Sequence, residues 1–133
     1  MSRIEMKTAI ITGCTSGIGE ATAKALISKG FKVYAFVRNT IKAKAVFGET
    51  AMVVSCDLED FESIKKAAEV LIAEDFKIDV LINNAGAMFQ KRQTAVSGHE
   101  KTLMVNYIGP FYLTQLLMPK LLKCSTRVIN LSS

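Results

Sequence analysis

Residues 12–19 have the sequence Thr12-Gly13-Cys14-Thr15-Ser16-Gly17-Ile18-Gly19, a glycine-rich turn between an apolar, β-rich run and a helical pattern. Gly13 permits a sharp exit from the strand, Gly17 leaves room for a close backbone approach, and Gly19 lets the helix pack near the strand. The N–H groups of the first helical turn would then face an anion with the positive end of the helix dipole. The order of strand, glycine turn and helix predicts a cradle for dinucleotide phosphates, although a glycine turn that binds nothing has the same local pattern.

A second predicted strand, residues 31–37, is followed directly by Arg38. In a βαβ dinucleotide site the end of this strand meets the adenosine ribose, where NAD sites carry Asp or Glu. Here a carboxylate is missing and a guanidinium is present, and the planar fork of arginine suits a 2′-phosphate. The alternative is a solvated surface arginine, the commonest environment of this residue type. The sequence therefore favours NADP(H) as cofactor, with NAD(H) as the second choice.

Two polar motifs follow two further predicted strands. The third strand leads into Asp57 and Leu58, and the fourth leads into Asn83-Asn84-Ala85-Gly86. Ligands of doubly wound sheets bind at the carboxyl ends of the strands. Taken singly, Asp57 suits a helix N-cap or a turn, and the Asn-Asn-Ala-Gly segment suits an ordinary turn. Because both motifs occupy the right places in the β-α order, together with the glycine turn they predict one binding site.

These motifs resemble those of the short-chain dehydrogenase/reductase family, whose glycine spacing is also Gly-x-x-x-Gly-x-Gly. The resemblance covers residues 7–133, and residues 97–114 are most similar to the retinol-dehydrogenase-like branch. It implies that Asn106 is the helix asparagine of the catalytic tetrad and that Ser133 is its serine. It also implies cofactor contacts from Gly13, Thr15, Ser16, Gly17, Ile18, Gly19, Arg38, Asp57, Leu58, Asn84, Ala85 and Gly86.

Pro110 provides an independent physical reason to single out Asn106. A proline inside a helix lacks the N–H that would bond the carbonyl four residues earlier, and its ring crowds that carbonyl. The residue four positions before Pro110 is Asn106. We therefore expect a kink that frees the Asn106 carbonyl, which the family uses to hold a water in a proton relay. The alternative is a helix bend with no chemical role.

The sequence departs from the family pattern in its catalytic residues. The family needs a Tyr-x-x-x-Lys downstream of the serine strand, in which the tyrosine is the general acid/base and the lysine lowers its pKa. The three tyrosines, Tyr34, Tyr107 and Tyr112, all precede Ser133, and none has a lysine four residues later. A phenol with an ordinary pKa of about 10 is a poor general acid/base near neutral pH. We expect the chain to be the cofactor-binding half of an alcohol dehydrogenase or carbonyl reductase and to be inactive by itself. The alternative is a non-catalytic dinucleotide-binding or interaction module.

Composition argues against several other classes of protein. Seventeen basic and twelve acidic residues give a net charge of +5, but the bases are scattered, so no nucleic-acid partner is expected. The single histidine, His99, argues against a zinc site or a histidine-based triad. Three unpatterned cysteines favour a reducing compartment, and no apolar run reaches membrane-spanning length, so we expect a cytoplasmic protein without a membrane anchor.

The whole pattern predicts one Rossmann-type α/β domain over residues 1–133, a doubly wound parallel sheet that lacks the C-terminal catalytic and substrate-binding part. Five strands, near 7–12, 32–37, 52–56, 79–83 and 127–131, should have the order 3-2-1-4-5, with the last strand left at an edge. We also expect any homo-oligomer to form through the long helix near residues 99–123. The predicted apolar face of the helix over residues 60–72 consists of Phe61, Ile64, Ala67, Ala68, Leu71 and Ile72.

Overall fold

The computed structural model describes residues 6–74, 77–84 and 101–131, over which strands alternate with helices. The strands are β1 (Thr8–Thr12), β2 (Lys32–Val37), β3 (Met52–Ser55), β4 (Val80–Asn83) and β5 (Arg127–Asn130). The helices are α1 (Gly17–Ser28), α2 (Thr40–Phe47), α3 (Phe61–Ile72), α4 (Lys101–Leu103) and α5 (Gly109–Cys124). A π-helical segment, Met104–Ile108, joins α4 to α5, and residues 101–124 together are referred to as the central helix.

The strands form one parallel sheet in the order β3-β2-β1-β4-β5, which confirms the predicted order. Ile10 of β1 pairs with Tyr34 of β2 on one side and with Leu81 of β4 on the other. The chain therefore winds outward from β1 in both directions. In such a sheet a crevice opens beyond the carboxyl ends of the strands where the winding reverses. The glycine turn follows β1 at this point.

Alternate residues of the central strands face two separate cores. Ile10 and Phe36 belong to the core that includes residues of α3 and α5, whereas Ile11 and Ala35 belong to the core that includes residues of α1 and α2. Strands covered on both faces need continuous apolar sequence rather than alternation. This requirement explains the uninterrupted apolar runs of β1 and β2.

Helix α3 begins where the sequence predicted. The Oδ1 atom of Asp60 accepts the backbone N–H of Glu62 at 3.0 Å and so caps the helix. The predicted apolar face is buried at Ile64, Ala67, Ala68 and Leu71. The assignment of Ile72 to this face was wrong, because its side chain is 51% exposed. Ile72 is the last residue of α3, and burial of a side chain at a helix end depends on how far the neighbouring elements extend.

The central helix departs from α-helical geometry near its first proline. The N–H of Gly109 bonds the carbonyl of Met104, five residues earlier, which is the π-helical pattern. Pro110 has no N–H to offer the Asn106 carbonyl, so the α-helical ladder is interrupted at this place. The sequence predicted the position of this irregularity and described its form as a kink, whereas the structure shows a five-residue π-helical segment.

Exposed apolar side chains are found on the central helix and on strand β5, among other places. Leu103, Tyr107 and Phe111 recur every four residues along the central helix and are 49%, 66% and 57% exposed. Strand β5 lies at an edge of the sheet, as predicted, and Val128 and Ile129 are exposed there. A homo-oligomer through the long helix stays a prediction, and the stripe of three side chains is the surface on which it would depend.

Within residues 6–74, 77–84 and 101–131, no helix is both long enough and apolar enough to cross a bilayer.

Candidate functional site

A cleft of about 510 Å³ opens beyond the carboxyl ends of β1, β2 and β3. Its volume lies within the range of about 300–1,000 Å³ that is typical of small-molecule sites. The cleft brings together nine of the cofactor residues that the sequence predicted; Gly17 is not part of its lining, and Ala85 and Gly86 lie outside the described residues. Its lining consists of Gly13, Thr15, Ser16, Ile18, Gly19, Phe36, Val37, Arg38, Asn39, Lys42, Cys56, Asp57, Leu58, Glu59, Asn84 and Val105.

The glycine turn has the backbone that its sequence requires. Gly13 and Gly17 have φ angles of +62° and +59°, in the left-handed region that favours glycine. No atom lies within 4 Å of the point where a Cβ of Gly17 would be, so the approach to its backbone is open. A Cβ on Gly19 would lie 2.3 Å from both the Asn84 Nδ2 and the Gly13 carbonyl oxygen. Gly19 is thus the point of closest packing between α1 and the strand ends.

Two asparagines at the carboxyl end of β4 make different contacts. Asn84 binds the glycine turn, since its Nδ2 donates to the Gly13 carbonyl at 2.8 Å and its backbone N–H donates to the Thr12 hydroxyl at 3.0 Å. Asn83 binds the neighbouring elements, since its Nδ2 donates to Asn130 Oδ1 at 2.8 Å and to Thr114 Oγ1 at 3.2 Å. The turn after β4 therefore fixes both the floor of the cleft and the contact between the sheet and α5.

The amino terminus of α1 suits an anion because no side chain caps it. Ser16 is the N-cap residue, but its side chain makes no capping hydrogen bond. In α2 and α3, by contrast, Asn39 and Asp60 accept backbone N–H groups with their side chains. The first N–H groups of a helix need partners, and the helix dipole makes an anion the favoured one. Ser16 and Ile18 line the cleft, so an anion bound there would meet these N–H groups.

The end of β2 is basic. Arg38 and Lys42 both line the cleft with exposed side chains, while Asn39 between them accepts the Lys42 backbone N–H at 3.0 Å. The sequence analysis named Arg38 as a cofactor contact, and it grouped Lys42 only with the bases near the proposed phosphate end. The available signal was the spacing, because a residue three after an N-cap asparagine lies in the first turn of the helix and faces the same end of the sheet.

Asp57 and Leu58 lie in a tight turn after β3. The Asp57 Oδ1 accepts the Glu59 backbone N–H at 3.0 Å, and the Asp57 backbone N–H donates to Ser63 Oγ at 2.8 Å. Of the two local alternatives the turn is correct, because Asp60 is the N-cap of α3. Leu58 is buried and lines the cleft. Glu59 and Val105 also line it and were not predicted, because their approach to the cleft depends on the packing of the central helix against this turn.

The two buried thiols near the site are poor nucleophiles. Burial raises the pKa of Cys14 from 9.0 to about 11, against the opposing effect of a backbone hydrogen bond. Burial also raises the pKa of Cys56 from 9.0 to about 12, with a further increase from the neighbouring Asp57. The thiolate is the reactive form of cysteine. Cys14 therefore packs in the glycine turn as a buried, protonated thiol.

We expect only Cys124 to react rapidly with Ellman's reagent at pH 8 in the folded chain. Cys124 is partly exposed, whereas Cys14 and Cys56 are buried and their raised pKa values keep them protonated. Mass spectrometry of labelled peptides identifies the thiol, and urea-unfolded chain is the control in which all three react. Rapid labelling of Cys14 in folded protein would contradict this.

The protonated thiols of Cys14 and Cys56 also stabilise the folded state below about pH 9. This contribution is lost as the pH rises through the folded-state pKa values of about 11 and 12.

The predicted catalytic residues are only partly within the described region. Asn106 lies in the π-helical segment, next to Val105, which lines the cleft. Ser133 lies outside the described residues. No described tyrosine lines the cleft: Tyr34 is in the core, Tyr107 stacks on Phe111, and Tyr112 packs edge-on against Phe61.

Comparison with known proteins identifies the family of this chain. The family model described as short chain dehydrogenase matches residues 7–133. Human retinol dehydrogenase 12 is 38% identical over 96% of this chain, and mouse retinol dehydrogenase 11 is 39% identical over the same share. The crystal structure of 3-ketoacyl-(acyl-carrier-protein) reductase from Brucella melitensis, complexed with NADH, superposes with a TM-score of 0.79. It is 29% identical, and the match covers 96% of this chain and 57% of that one.

The shared region is a part of each relative. The match covers 43% of each of the two retinol dehydrogenases. The parallel sheet with the order β3-β2-β1-β4-β5 belongs to the fold that this chain shares with the reductase. The chain belongs to the short-chain dehydrogenase family and is retinol-dehydrogenase-like.

Proposed function

We propose that this chain supplies the NADP(H)-binding part of an oxidoreductase that transfers hydride between the nicotinamide and an alcohol or carbonyl substrate. The observation that carries the proposal is the cleft, which has an uncapped helix amino terminus at the glycine turn and two cations after β2. The structure of the reductase bound to NADH and the names of the retinol dehydrogenases support a nicotinamide cofactor and an alcohol substrate class.

The residues present suit the phosphates of a dinucleotide. A pyrophosphate would accept hydrogen bonds from the N–H groups in the first turn of α1, beside Gly17, whose backbone is unobstructed. The hydrogen bond from Asn84 to the Gly13 carbonyl holds that turn in shape before any ligand arrives. Such preorganisation increases affinity, because the loop need not be ordered on binding.

The adenosine end would lie between β2 and the turn after β3. Leu58 offers an apolar surface to a purine, and Arg38 and Lys42 offer cations to a 2′-phosphate. Asp57 and Glu59 are the carboxylates of the cleft lining, and both belong to the turn after β3. A carboxylate at the end of β2, which would favour the free 2′-hydroxyl of NAD, is replaced by Arg38.

A bound nicotinamide coenzyme would supply the hydride chemistry. This chain would supply binding, orientation and two polar groups at the reacting end. By the family pattern we assign to Asn106 the carbonyl that holds a relay water, and to Ser133 the hydroxyl that polarises the substrate oxygen. The position of Asn106 in the π-helical segment, one residue from the cleft lining, suits this assignment.

Titration calorimetry of Arg38→Asp tests the cofactor preference. A hydrogen bond to a charged group contributes about 1.5–3 kcal/mol, so we expect NADPH affinity to fall about 10- to 100-fold. NADH affinity should hold or rise, because the new carboxylate can accept a ribose hydroxyl. Lys66→Asp is the matched control, since it changes the net charge equally on an exposed residue outside the cleft lining. Equal NADPH affinity in wild type and Arg38→Asp would refute the role of Arg38.

A further inference from the structure

We propose that Glu59 and Lys101 are positioning residues, whose ion pair holds the π-helical segment against the adenosine end of the cleft. The Oε1 of Glu59 lies 3.4 Å from the Nζ of Lys101. Glu59 lines the cleft from the turn after β3, and Lys101 opens the central helix. The pair therefore joins the part of the cleft proposed to bind adenosine to the helix that carries Asn106.

The burial of its carboxylate sets this pair apart from the pair between Lys24 and Glu20. The side chain of Glu59 is 11% exposed and that of Lys101 is 27% exposed. The Glu59 Oε1 has no hydrogen-bond partner within the described residues. The contact with Lys101 is thus a charge compensation for a buried oxygen, and a buried carboxylate without its cation is strongly unfavourable. Lys24 and Glu20 on α1 form a pair of the ordinary kind, with side chains 53% and 32% exposed.

The same turn contacts the central helix a second time, at Gly109. A Cβ on Gly109 would lie 2.6 Å from the Leu58 carbonyl oxygen and 3.1 Å from the Leu58 Cβ. Lys101 precedes the π-helical segment, and Gly109 directly follows it. The turn after β3 therefore contacts the central helix on both sides of Met104–Ile108.

A segment held by one contact before it and one contact after it is positioned more firmly than a segment held by a single contact. A π-helical run has weaker internal support than an α-helix and commonly occurs at functional sites. Val105, inside the run, shares the cleft with Leu58 and Glu59. The ion pair therefore restrains the π-helical segment in the absence of ligand. A dinucleotide that packs on Leu58 then binds beside a segment whose position is already fixed.

Hydrogen exchange of the intact chain tests the pair without any ligand. In Glu59→Gln and in Lys101→Met we expect amides of residues 104–109 to exchange about tenfold faster, while those of β1 and β2 keep their rates. The charge-swapped variant Glu59→Lys/Lys101→Glu should restore slow exchange. Lys24→Met is the matched control and should change nothing in residues 104–109. Unchanged exchange in both single variants, or a uniform increase across the whole sheet, would overturn the proposal.

NADPH titration of the same variants connects the pair to the cleft, and this part rests on the proposed function. The single variants should bind NADPH about tenfold more weakly, and the swapped variant should recover affinity. If no variant binds NADPH, wild type included, the proposed function fails while the exchange result still decides the ion pair. If the swapped variant does not fold, the non-additivity of Glu59→Gln and Lys101→Met in a double-mutant cycle decides instead, and full additivity contradicts the proposal.

Discussion

The purified 133-residue polypeptide is expected to bind NADPH and to show no measurable reduction of aldehydes or ketones. General acid/base catalysis needs a proton donor within hydrogen-bond reach of the reacting oxygen. The polypeptide has three tyrosines, none of them followed by a lysine four residues later. None lines the cleft, since Tyr34 is buried in the core and Tyr107 and Tyr112 pack on aromatic rings of Phe111 and Phe61. Loss of NADPH absorbance with a short-chain aldehyde measures the rate.

A chimera provides the positive control for this expectation. Residues 1–133 would be joined to the segment of human retinol dehydrogenase 12 that follows the matched region, provided that this segment contains a Tyr-x-x-x-Lys. The chimera should reduce aldehydes, and Ser133→Ala within it should remove most activity, at least about 100-fold, because a donor aimed at the developing oxyanion is lost. Turnover by the 133-residue polypeptide at a rate above the no-enzyme control would show that a group other than a tyrosine acts as its acid/base.

Gly19→Ala is expected to have the second-largest effect, on both folding and binding. The added Cβ would lie 2.3 Å from the Asn84 Nδ2 and the Gly13 carbonyl oxygen, and 3.0 Å from the Cys14 Cα. Two of these atoms are backbone atoms, so relief requires α1 to move away from the strand ends. Overpacking of this kind costs about 1–3 kcal/mol of folding free energy. It would also break the 2.8 Å hydrogen bond between Asn84 and the turn, and NADPH affinity should fall below detection.

Gly48→Ala is the matched control for this substitution. Gly48 has a φ of +57° and open space around it, far along the chain from the glycine turn. Because ψ is −126°, its substitution brings backbone strain of about 1–3 kcal/mol without a clash, and NADPH affinity should stay unchanged. Urea unfolding and calorimetry measure the two effects separately. A Gly19→Ala variant that unfolds and binds NADPH like wild type would refute the close packing of α1 on the strand ends.

The sheet could be predicted because its signals are local. β1, β2 and β4 contain short apolar runs and are followed by glycine or polar residues, and right-handed crossovers leave few topologies to choose from. The same locality located the irregularity at Pro110, since one missing N–H acts on a carbonyl only four residues away. The error at Ile72 has the opposite origin. The burial of the last side chain of an apolar face depends on how far the neighbouring elements extend. Sequence periodicity carries no information about that extent.

The predicted part of the cleft consists of the glycine turn and of residues at or just beyond the ends of β2, β3 and β4. Gly13, Arg38, Asp57 and Asn84 lie one or two residues past a strand, and parallel strands bring their carboxyl ends to one edge. Val105 reaches the cleft from a helix more than forty residues beyond Asp57 in the chain. Its approach depends on how that helix is oriented against the sheet, so sequence reasoning did not predict it.

By itself the sequence determined the fold class, the strand order and the identity of the glycine turn, because these follow from apolar period, turn chemistry and the handedness of crossovers. Only the tertiary structure decided that the turn after β3 contacts the central helix on both sides of its π-helical segment. The two Glu59–Lys101 atoms, 3.4 Å apart, belong to residues 42 positions apart in the chain. No local pattern encodes such a contact, because it is set by the distance at which α3, α5 and the sheet pack together around a shared core.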